Sequence, residues 1–241
     1  SEDVPPVLSD CPPSLTVDLP STKCDTAINW TPPTASDNCA VQSLQSTVAP
    51  GAVFLPGKVL VEYKATDVSG NTAVCSFEID VRDVFPPEIS DCPTDIVISL
   101  PEIKCDTAVT WTPPTASDNC GLDSLTTNTP PGSILSPGTF TVQYVAKDGA
   151  GNTTVCAFDI SVRDDFAPTF FDCPGDLSID LPPAKCDTTL TWTPPAASDN
   201  CGLDSVLVNI PPGTVFKPGQ TLIQYVAKDA FGNSATCTFA I

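Results

Sequence analysis

The stretch YKATDVSGNTAVCSF, residues 63–77, decides the fold. It lies inside two alternating segments joined by a turn. On the way in, Val59, Val61, Tyr63 and Ala65 share one face, and Leu60, Glu62 and Lys64 take the other. On the way back, Cys75, Phe77, Ile79 and Val81 share a face. A period of two is the mark of a half-buried strand. Between the segments, Val68-Ser69-Gly70-Asn71 supplies the residues that tolerate positive φ, so the chain reads as a β-hairpin. The same text returns as YVAKDGAGNTTVCAF at 144–158 and YVAKDAFGNSATCTF at 225–239. Each step is 81 residues, and Cys11, Cys92 and Cys173 keep it. So do Cys24, Cys105 and Cys186, and Cys39, Cys120 and Cys201, and the tryptophans Trp30, Trp111 and Trp192. A fixed period with no slippage means an array of like modules.

Working outward from the hairpin, Leu15, Val17 and Leu19 alternate, then Cys24, Thr26, Ile28 and Trp30 alternate against Asp25, Ala27 and Asn29. Pro32 and Pro33 end that segment, because proline cannot donate to a ladder. Thr34–Asn38 reads as a loop, and the segment from Cys39 to Val48 reads as a further strand. With 27 prolines and no helical periodicity, long helices are excluded. About seven short strands per unit indicate a β-sandwich. The chain is therefore expected to be all-β: three tandem immunoglobulin-like sandwiches, residues 1–82, 83–163 and 164–241, in an elongated rod. The linkers RDVFPP (82–87) and RDDFAP (163–168) are short and carry proline, which limits flexing.

Composition narrows the function. Twenty-nine acidic residues face ten basic ones, for a net charge of −19, which argues against nucleic acid. No apolar run approaches about 18 residues, so no membrane insertion is expected. There is no histidine, hence no Ser-His or Cys-His pair, and the Asp164–Asp165 carboxylates sit in a linker without an evident cleft; no enzyme is expected. Four cysteines per unit without a C-x-x-C pair read as disulfides rather than zinc ligands, and hence as an extracellular, oxidising compartment. The chain opens on Ser1 and stops at Ile241, where the other units continue into Val-Arg-Asp, so a segment of a longer array is expected.

Four cysteines allow three pairings per unit. An immunoglobulin-like path lays the first strand beside the last and brings Cys11 near Cys75, and likewise Cys92 near Cys156 and Cys173 near Cys237. Cys24 is then left for Cys39, Cys105 for Cys120 and Cys186 for Cys201. A simple sandwich sets Cys24 and Cys39 toward opposite ends, so a bond between units, of the type Cys24–Cys92, stands as the second pairing.

The run DCP, then WTPPTASDNC, then YKATDVSGNTAVCSF resembles the hyalin repeat, or HYR module, three times over across nearly the whole chain. The resemblance implies an immunoglobulin-like sandwich in extracellular proteins, with roles in adhesion and matrix assembly, including calcium-dependent layers around embryos. Members with two cysteines keep those like Cys11 and Cys75, which favours the first pairing.

In the same topology the Ser-Asp-Asn segment and the D-x-x-G-N turn share the end of a unit that faces the preceding linker. Asp118 and Asp148 then approach Asp83, and Asp199 and Asp229 approach Asp164. Two readings stand for these carboxylates: Asx turns and hairpin caps, or oxygen ligands for calcium. The sequons at Asn29 and Asn152 are candidate N-glycan sites. Alternation assigns the tryptophans to the core rather than to carbohydrate stacking. The expected function is a structural segment of a disulfide-stapled extracellular fibre, coat or adhesive matrix that self-associates through like modules. The alternative is a spacer or binding segment of a secreted or cell-surface protein that meets a matrix protein, a cell-surface protein or a glycan. The variable stretches 45–55, 126–136 and 207–217 are the candidate contacts, or else tolerated loop drift.

Overall fold

The computed structural model describes residues 3–241, all in strands, turns and irregular segments without a helix. Its contacts form two compact units: Ser1–Cys92 with Pro113–Asn128 and Gln143–Ala157, and Pro93–Thr112 with Thr129–Val142 and Phe158–Ile241.

In the first unit, the first repeat shows how the sequence builds a sandwich. Its strands are β1 (Val7–Ser9), β2 (Leu15–Asp18), β3 (Thr26–Ala27), β4 (Thr34–Ser36), β5 (Val41–Ser46), β6 (Val53–Phe54), β7 (Gly57–Asp67) and β8 (Thr72–Arg82). The hairpin read from the sequence is β7–β8, with Tyr63 opposite Cys75 and Val61 opposite Phe77. It forms the middle of a four-stranded sheet in the order β2-β8-β7-β5. The inward alternation of β7 and β8 is buried, Val61, Ala65 and Ile79 completely. Across from it, Leu19, Ile28 and Phe54 close the core, brought there by the β3–β6 ribbon and the segments beside it. This layering, a sheet faced by short ribbons, is an immunoglobulin-like β-sandwich.

Two local expectations need correction. Thr34–Ser36 is a strand, paired with β1, rather than part of a loop. Its Thr-Ala-Ser text has no large apolar residue, so pairing of the backbone, not side-chain burial, makes it extended. The predicted strand around Trp30 shrinks to Thr26–Ala27, the only residues there in register with β6. Beyond them, Ile28 keeps two turn-type bonds, donating to Ala52 and accepting from Gly51.

The strand beside the last one is β2, and it runs parallel to β8, with Leu15 opposite Ile79. That register is a sequence offset of 64, and the Cys11–Cys75 disulfide has the same separation of 64. The bond therefore keeps the offset of the ladder, four residues before its first pair. Below the ladder, Ser14 Oγ accepts the N–H of Glu78 at 3.1 Å. The first unit also holds Glu88–Ser90 paired with Thr115–Ser117, and Leu122–Thr127 paired with residues 144–148.

The second unit repeats these pairings. Ile96–Ser99 runs parallel to residues 160–163, and Thr107–Val109 pairs with Ser133–Leu135. Leu203–Val208, Leu222–Asp229 and Ser234–Ala240 form a three-stranded antiparallel sheet in that order. Its core gathers Phe216, Ile223, Tyr225, Cys237 and Phe239, with Trp192 packed against it.

The tryptophans belong to the cores. Trp30 meets Phe77 edge to face at 5.5 Å, and Trp192 meets Phe239 at the same distance. Each indole N–H finds a tyrosine hydroxyl, Trp30 that of Tyr63 at 2.8 Å and Trp192 that of Tyr225 at 2.9 Å. A half-buried indole that keeps a polar partner loses little by its burial. Tyr63→Phe removes the acceptor and is expected to destabilise the first repeat by about 1 kcal/mol. A urea midpoint equal to that of the parent would show the bond to be energetically idle.

Candidate cation cluster and inter-repeat disulfides

The D-x-x-G-N turns set the first ligand of each cluster. Gly151 and Gly232 take φ of 97° and 96°, a region closed to most side chains, and let the chain fold back on the aspartate. Asp148 Oδ1 then accepts the Asn152 N–H at 2.8 Å and Asp148 Oδ2 accepts its side-chain amide at 2.8 Å. Asp229 is held in the same way by Asn233, at 2.8 and 2.7 Å. Asp67 and Asn71 repeat the arrangement in the first repeat.

The Ser-Asp-Asn segments supply the second ligand. Asp118 Oδ1 accepts the N–H of Cys120 at 2.8 Å, and Asp199 Oδ1 that of Cys201 at 2.8 Å. These are Asx turns. The linkers supply the third. Asp83 Oδ1 accepts from the Phe85 N–H and from the Asn119 side-chain amide, both at 3.3 Å. Asp164 Oδ1 accepts from Phe166 and Asn200, both at 3.2 Å.

These bonds bring Asp83, Asp118 and Asp148 together, with one carboxylate oxygen from each within 4.8 Å of the other two. Asp164, Asp199 and Asp229 form a second cluster of the same size. In every one of the four linker and turn aspartates, Oδ1 does the local work and Oδ2 is buried without a hydrogen-bond partner. An orphan carboxylate oxygen is expensive in a dry site, and three like charges at this distance repel. A hard divalent cation offsets both costs. The Oδ2 atoms of Asp83 and Asp118, with Asp148, would hold it in the first cluster, and those of Asp164 and Asp199, with Asp229, in the second. Both readings of the sequence are thus compatible, because Asp83, Asp118, Asp164 and Asp199 each have one oxygen for the turn and one to spare, while Asp148 and Asp229 use both oxygens on the asparagine of their turn. In the first repeat Asp37 Oδ2 is likewise buried and unpartnered, while the position matching Asp83 falls on Glu2, outside the described residues.

Sequence reasoning missed the asparagines that lock these sites. Asn152 Nδ2 donates to the carbonyls of Asp83 and Phe85, at 3.2 and 3.3 Å, and Asn233 Nδ2 donates to that of Asp164 at 2.9 Å. Their signal was present as an asparagine recurring at fixed period after the turn glycine. The same bonds bear on the glycan expected at Asn152, whose side-chain nitrogen donates to Asp83, Phe85 and Asp148. An N-linked glycan would leave that nitrogen one hydrogen, too few for all three contacts. Asn29 is exposed.

Burial alone would push the Asp67, Asp148 and Asp229 carboxyls up. The asparagine side-chain amide and the turn N–H groups outweigh it and hold all three below the ordinary 3.8. A depressed folded pKa contributes stability above the unfolded pKa and loses it as pH falls through the folded one. The melting temperature is therefore expected to be flat down to about pH 4 and to fall below it. A melting temperature unchanged at pH 2.5 would refute this role for the turn aspartates.

The disulfides divide into two kinds. Cys11–Cys75, Cys92–Cys156 and Cys173–Cys237 each close a repeat. The second kind corrects the expected pairing. Cys24 bonds Cys120 rather than Cys39, and Cys105 bonds Cys201 rather than Cys120, each across 96 residues. Cys186 is consequently not bonded to Cys201 and remains a free, exposed thiol. The Cys24–Cys92 type of bond is not formed either, since Cys92 is taken by Cys156. The physical reason is placement. Asn119 Nδ2 donates to the Lys23 carbonyl at 3.3 Å, and Asn200 Nδ2 to that of Lys104 at 3.2 Å, which sets each Ser-Asp-Asn-Cys turn against the second cysteine of the repeat before it. The Cα atoms lie 4.5 and 4.7 Å apart, within bonding reach.

The HYR domain model matches residues 2–81, 82–162 and 163–241. The chain belongs to the HYR domain family. Among curated proteins, hyalin of Strongylocentrotus purpuratus is 32% identical over 90% of this chain and 19% of that protein. Hyalin of Lytechinus variegatus is 33% identical over 90% of this chain and 42% of its own length. A Mus musculus protein named for its sushi, von Willebrand factor type A, EGF and pentraxin domains is 34% identical over 70% of this chain and 5% of that protein. The chain thus spans less than half the length of the relatives it matches. Among solved structures, the immunoglobulin domains 1–5 of Sidekick-1 align over 99% of this chain and 59% of theirs, at 14% identity and a TM-score of 0.38. The Protocadherin GammaB4 extracellular domain aligns over 99% of this chain and 49% of its own, at 17% identity and 0.34. The five disulfides of the HYR repeats fit an oxidising compartment. Among the described residues no helix is long and apolar enough to cross a membrane.

Proposed function

We propose that this chain is a non-catalytic segment of an extracellular adhesive layer or matrix, in which HYR repeats, residues 1–82, 83–163 and 164–241, are fastened in series and meet like repeats of other molecules. The observation that carries the reading is the double fastening of one repeat to the next. A disulfide joins Cys24 to Cys120 and Cys105 to Cys201. An aspartate cluster gathers linker, Ser-Asp-Asn turn and hairpin turn at each of the same places. We take calcium as the cation of that cluster, because an all-oxygen carboxylate set suits a hard ion and extracellular modules work at millimolar calcium. The mechanism is mechanical: the bond fixes the order of repeats and the ion fixes their set. The resemblance to hyalin over 90% of the chain supports a layer-forming role. The relative from mouse supports a second reading, HYR repeats as a spacer within a mosaic secreted or cell-surface protein.

Sedimentation velocity of the native protein decides between the two. A layer former is expected to associate with rising concentration in millimolar calcium and to dissociate in chelator. A single species of constant size in both conditions would sink self-association and leave the spacer.

A further inference from the structure

We infer that each inter-repeat disulfide and the aspartate cluster beside it form one redox-sensitive cation site: reducing the bond lowers cation affinity, and a bound cation shifts the bond toward its oxidised form. This regulation rests on the calcium reading above and acts on the same site. A single turn belongs to both features. Asp118-Asn119-Cys120 gives a carboxylate to the cluster and, two residues on, the sulfur bonded to Cys24. Asp199-Asn200-Cys201 does the same beside Cys105. In both turns the cysteine N–H is donated to the aspartate Oδ1 at 2.8 Å. The residue that carries the sulfur therefore also fixes the ligand.

The asparagine between them closes the connection. Asn119 Nδ2 lies 3.3 Å from the Lys23 carbonyl, 3.3 Å from Asp83 Oδ1 and 3.5 Å from the Cys120 sulfur. Asn200 Nδ2 lies 3.2 Å from the Lys104 carbonyl, 3.2 Å from Asp164 Oδ1 and 3.5 Å from the Cys201 sulfur. One amide thus spans the residue before the first cysteine, the linker aspartate and the second sulfur. Asp83 and Asp164 are only 7% and 5% exposed, and Oδ2 of each has no hydrogen-bond partner. The carboxylates that the asparagines orient are therefore those that most need a cation. The cysteines of both inter-repeat bonds are half-buried rather than enclosed, so a dissolved thiol can reach them.

The switch is thrown by a low-mass dithiol. Its thiolate attacks the Cys24 sulfur, the Cys24–Cys120 bond breaks, and Cys120 leaves as a thiolate that takes a proton from water. The second thiol of the reagent gives up its proton and attacks its own sulfur on Cys24. That step closes the reagent's disulfide and frees Cys24, which is protonated in turn. One protein disulfide gains two electrons and becomes two thiols, and one dithiol is oxidised. With the bond open, the turn is no longer held against Lys23, and Asp118 is in place for only a fraction of the time. Apparent affinity falls by that fraction. By linkage the cation favours the closed bond by the same factor. About tenfold or more is expected, which for a two-electron couple is about 30 mV.

The test equilibrates the oxidised protein in a series of reduced and oxidised dithiol buffers, with millimolar calcium or with chelator. Samples are quenched in acid and alkylated, and each bond is read by peptide mapping. Calcium is expected to shift the midpoints of Cys24–Cys120 and Cys105–Cys201 by about tenfold or more in the dithiol-to-disulfide ratio. Cys11–Cys75, Cys92–Cys156 and Cys173–Cys237 are the internal controls and are expected to move far less. Asn119→Ala is expected to shrink the calcium shift at Cys24–Cys120 and to leave that at Cys105–Cys201 at its parent value. An equal shift of all five bonds would mean general stabilisation and would overturn the inference, as would equal shifts at the two inter-repeat bonds of the variant. Calorimetry of the oxidised protein with calcium alone separates the two levels. Heat of binding without any shift in the midpoints sinks only the coupling; no binding sinks the calcium reading and the coupling with it.

Discussion

Replacing both Cys11 and Cys75 by serine is expected to unfold the first repeat at 37 °C while replacing Cys24 and Cys120 leaves its sheet intact. The two bonds have similar loop lengths, with separations of 64 and 96, and the loop-entropy model assigns each about 4 to 5 kcal/mol. Their positions separate them. Cys11–Cys75 ties the segment leading into β2 to β8 at the same offset as their ladder, so it constrains the strands that make the core. A domain of about 80 residues has only a few kcal/mol to spare, and losing about 4 leaves it marginal. Cys24–Cys120 joins segments outside that sheet, and what it restrains is the attachment of one repeat to the next. Hydrogen exchange read on β7 and β8 discriminates the two. Fast exchange at Val61 and Ile79 is expected in the first double variant, with parent-like protection in the second. Equal protection in both would show that the ladder holds the repeat without its staple.

How far the sequence could be read follows from what each feature depends on. The β7–β8 hairpin depends on local alternation and a glycine turn, and both are visible in one stretch of text. Cys11–Cys75 depends on one topological step, the last strand lying beside an early one, and the topology follows from seven short strands. The meeting of Asp83, Asp118 and Asp148 needed the same step, since linker, Ser-Asp-Asn turn and hairpin turn all fall at one end. Cys24–Cys120 was illegible for a specific reason. Cys39 and Cys120 occupy the same position in identical Ser-Asp-Asn-Cys text, so a strict period cannot say whether Cys24 takes the turn of its own repeat or the next. What breaks the degeneracy is the reach of Asn119 to the Lys23 carbonyl, a contact that no spacing encodes. Thr34–Ser36 reads as loop because a strand held by backbone pairing alone leaves no apolar trace. Asn152 reads as a candidate glycan acceptor because a sequon records the residue types and not the three contacts its side-chain nitrogen makes.

Adding calcium to chelator-treated protein is expected to raise its melting temperature by roughly 10 °C or more at a hundredfold excess over the dissociation constant. Ligand linkage at that excess is worth about 2.7 kcal/mol per site, and about 1 kcal/mol moves a small domain by 4–8 °C. The sign of the control variant is the stronger test. Asp83→Asn with Asp164→Asn keeps an Oδ1 acceptor for the Phe85 and Phe166 N–H groups and for the Asn119 and Asn200 amides. It removes one charge from each cluster and replaces an orphan carboxylate oxygen with an amide nitrogen. In chelator the variant is therefore expected to melt at or above the parent, since like-charge repulsion is reduced. In calcium it is expected to melt below the parent, since the ligand is gone. The two melting curves exchange order across the calcium titration. A purely structural role for Asp83 and Asp164 would leave the variant less stable in both conditions and the calcium response of the parent absent.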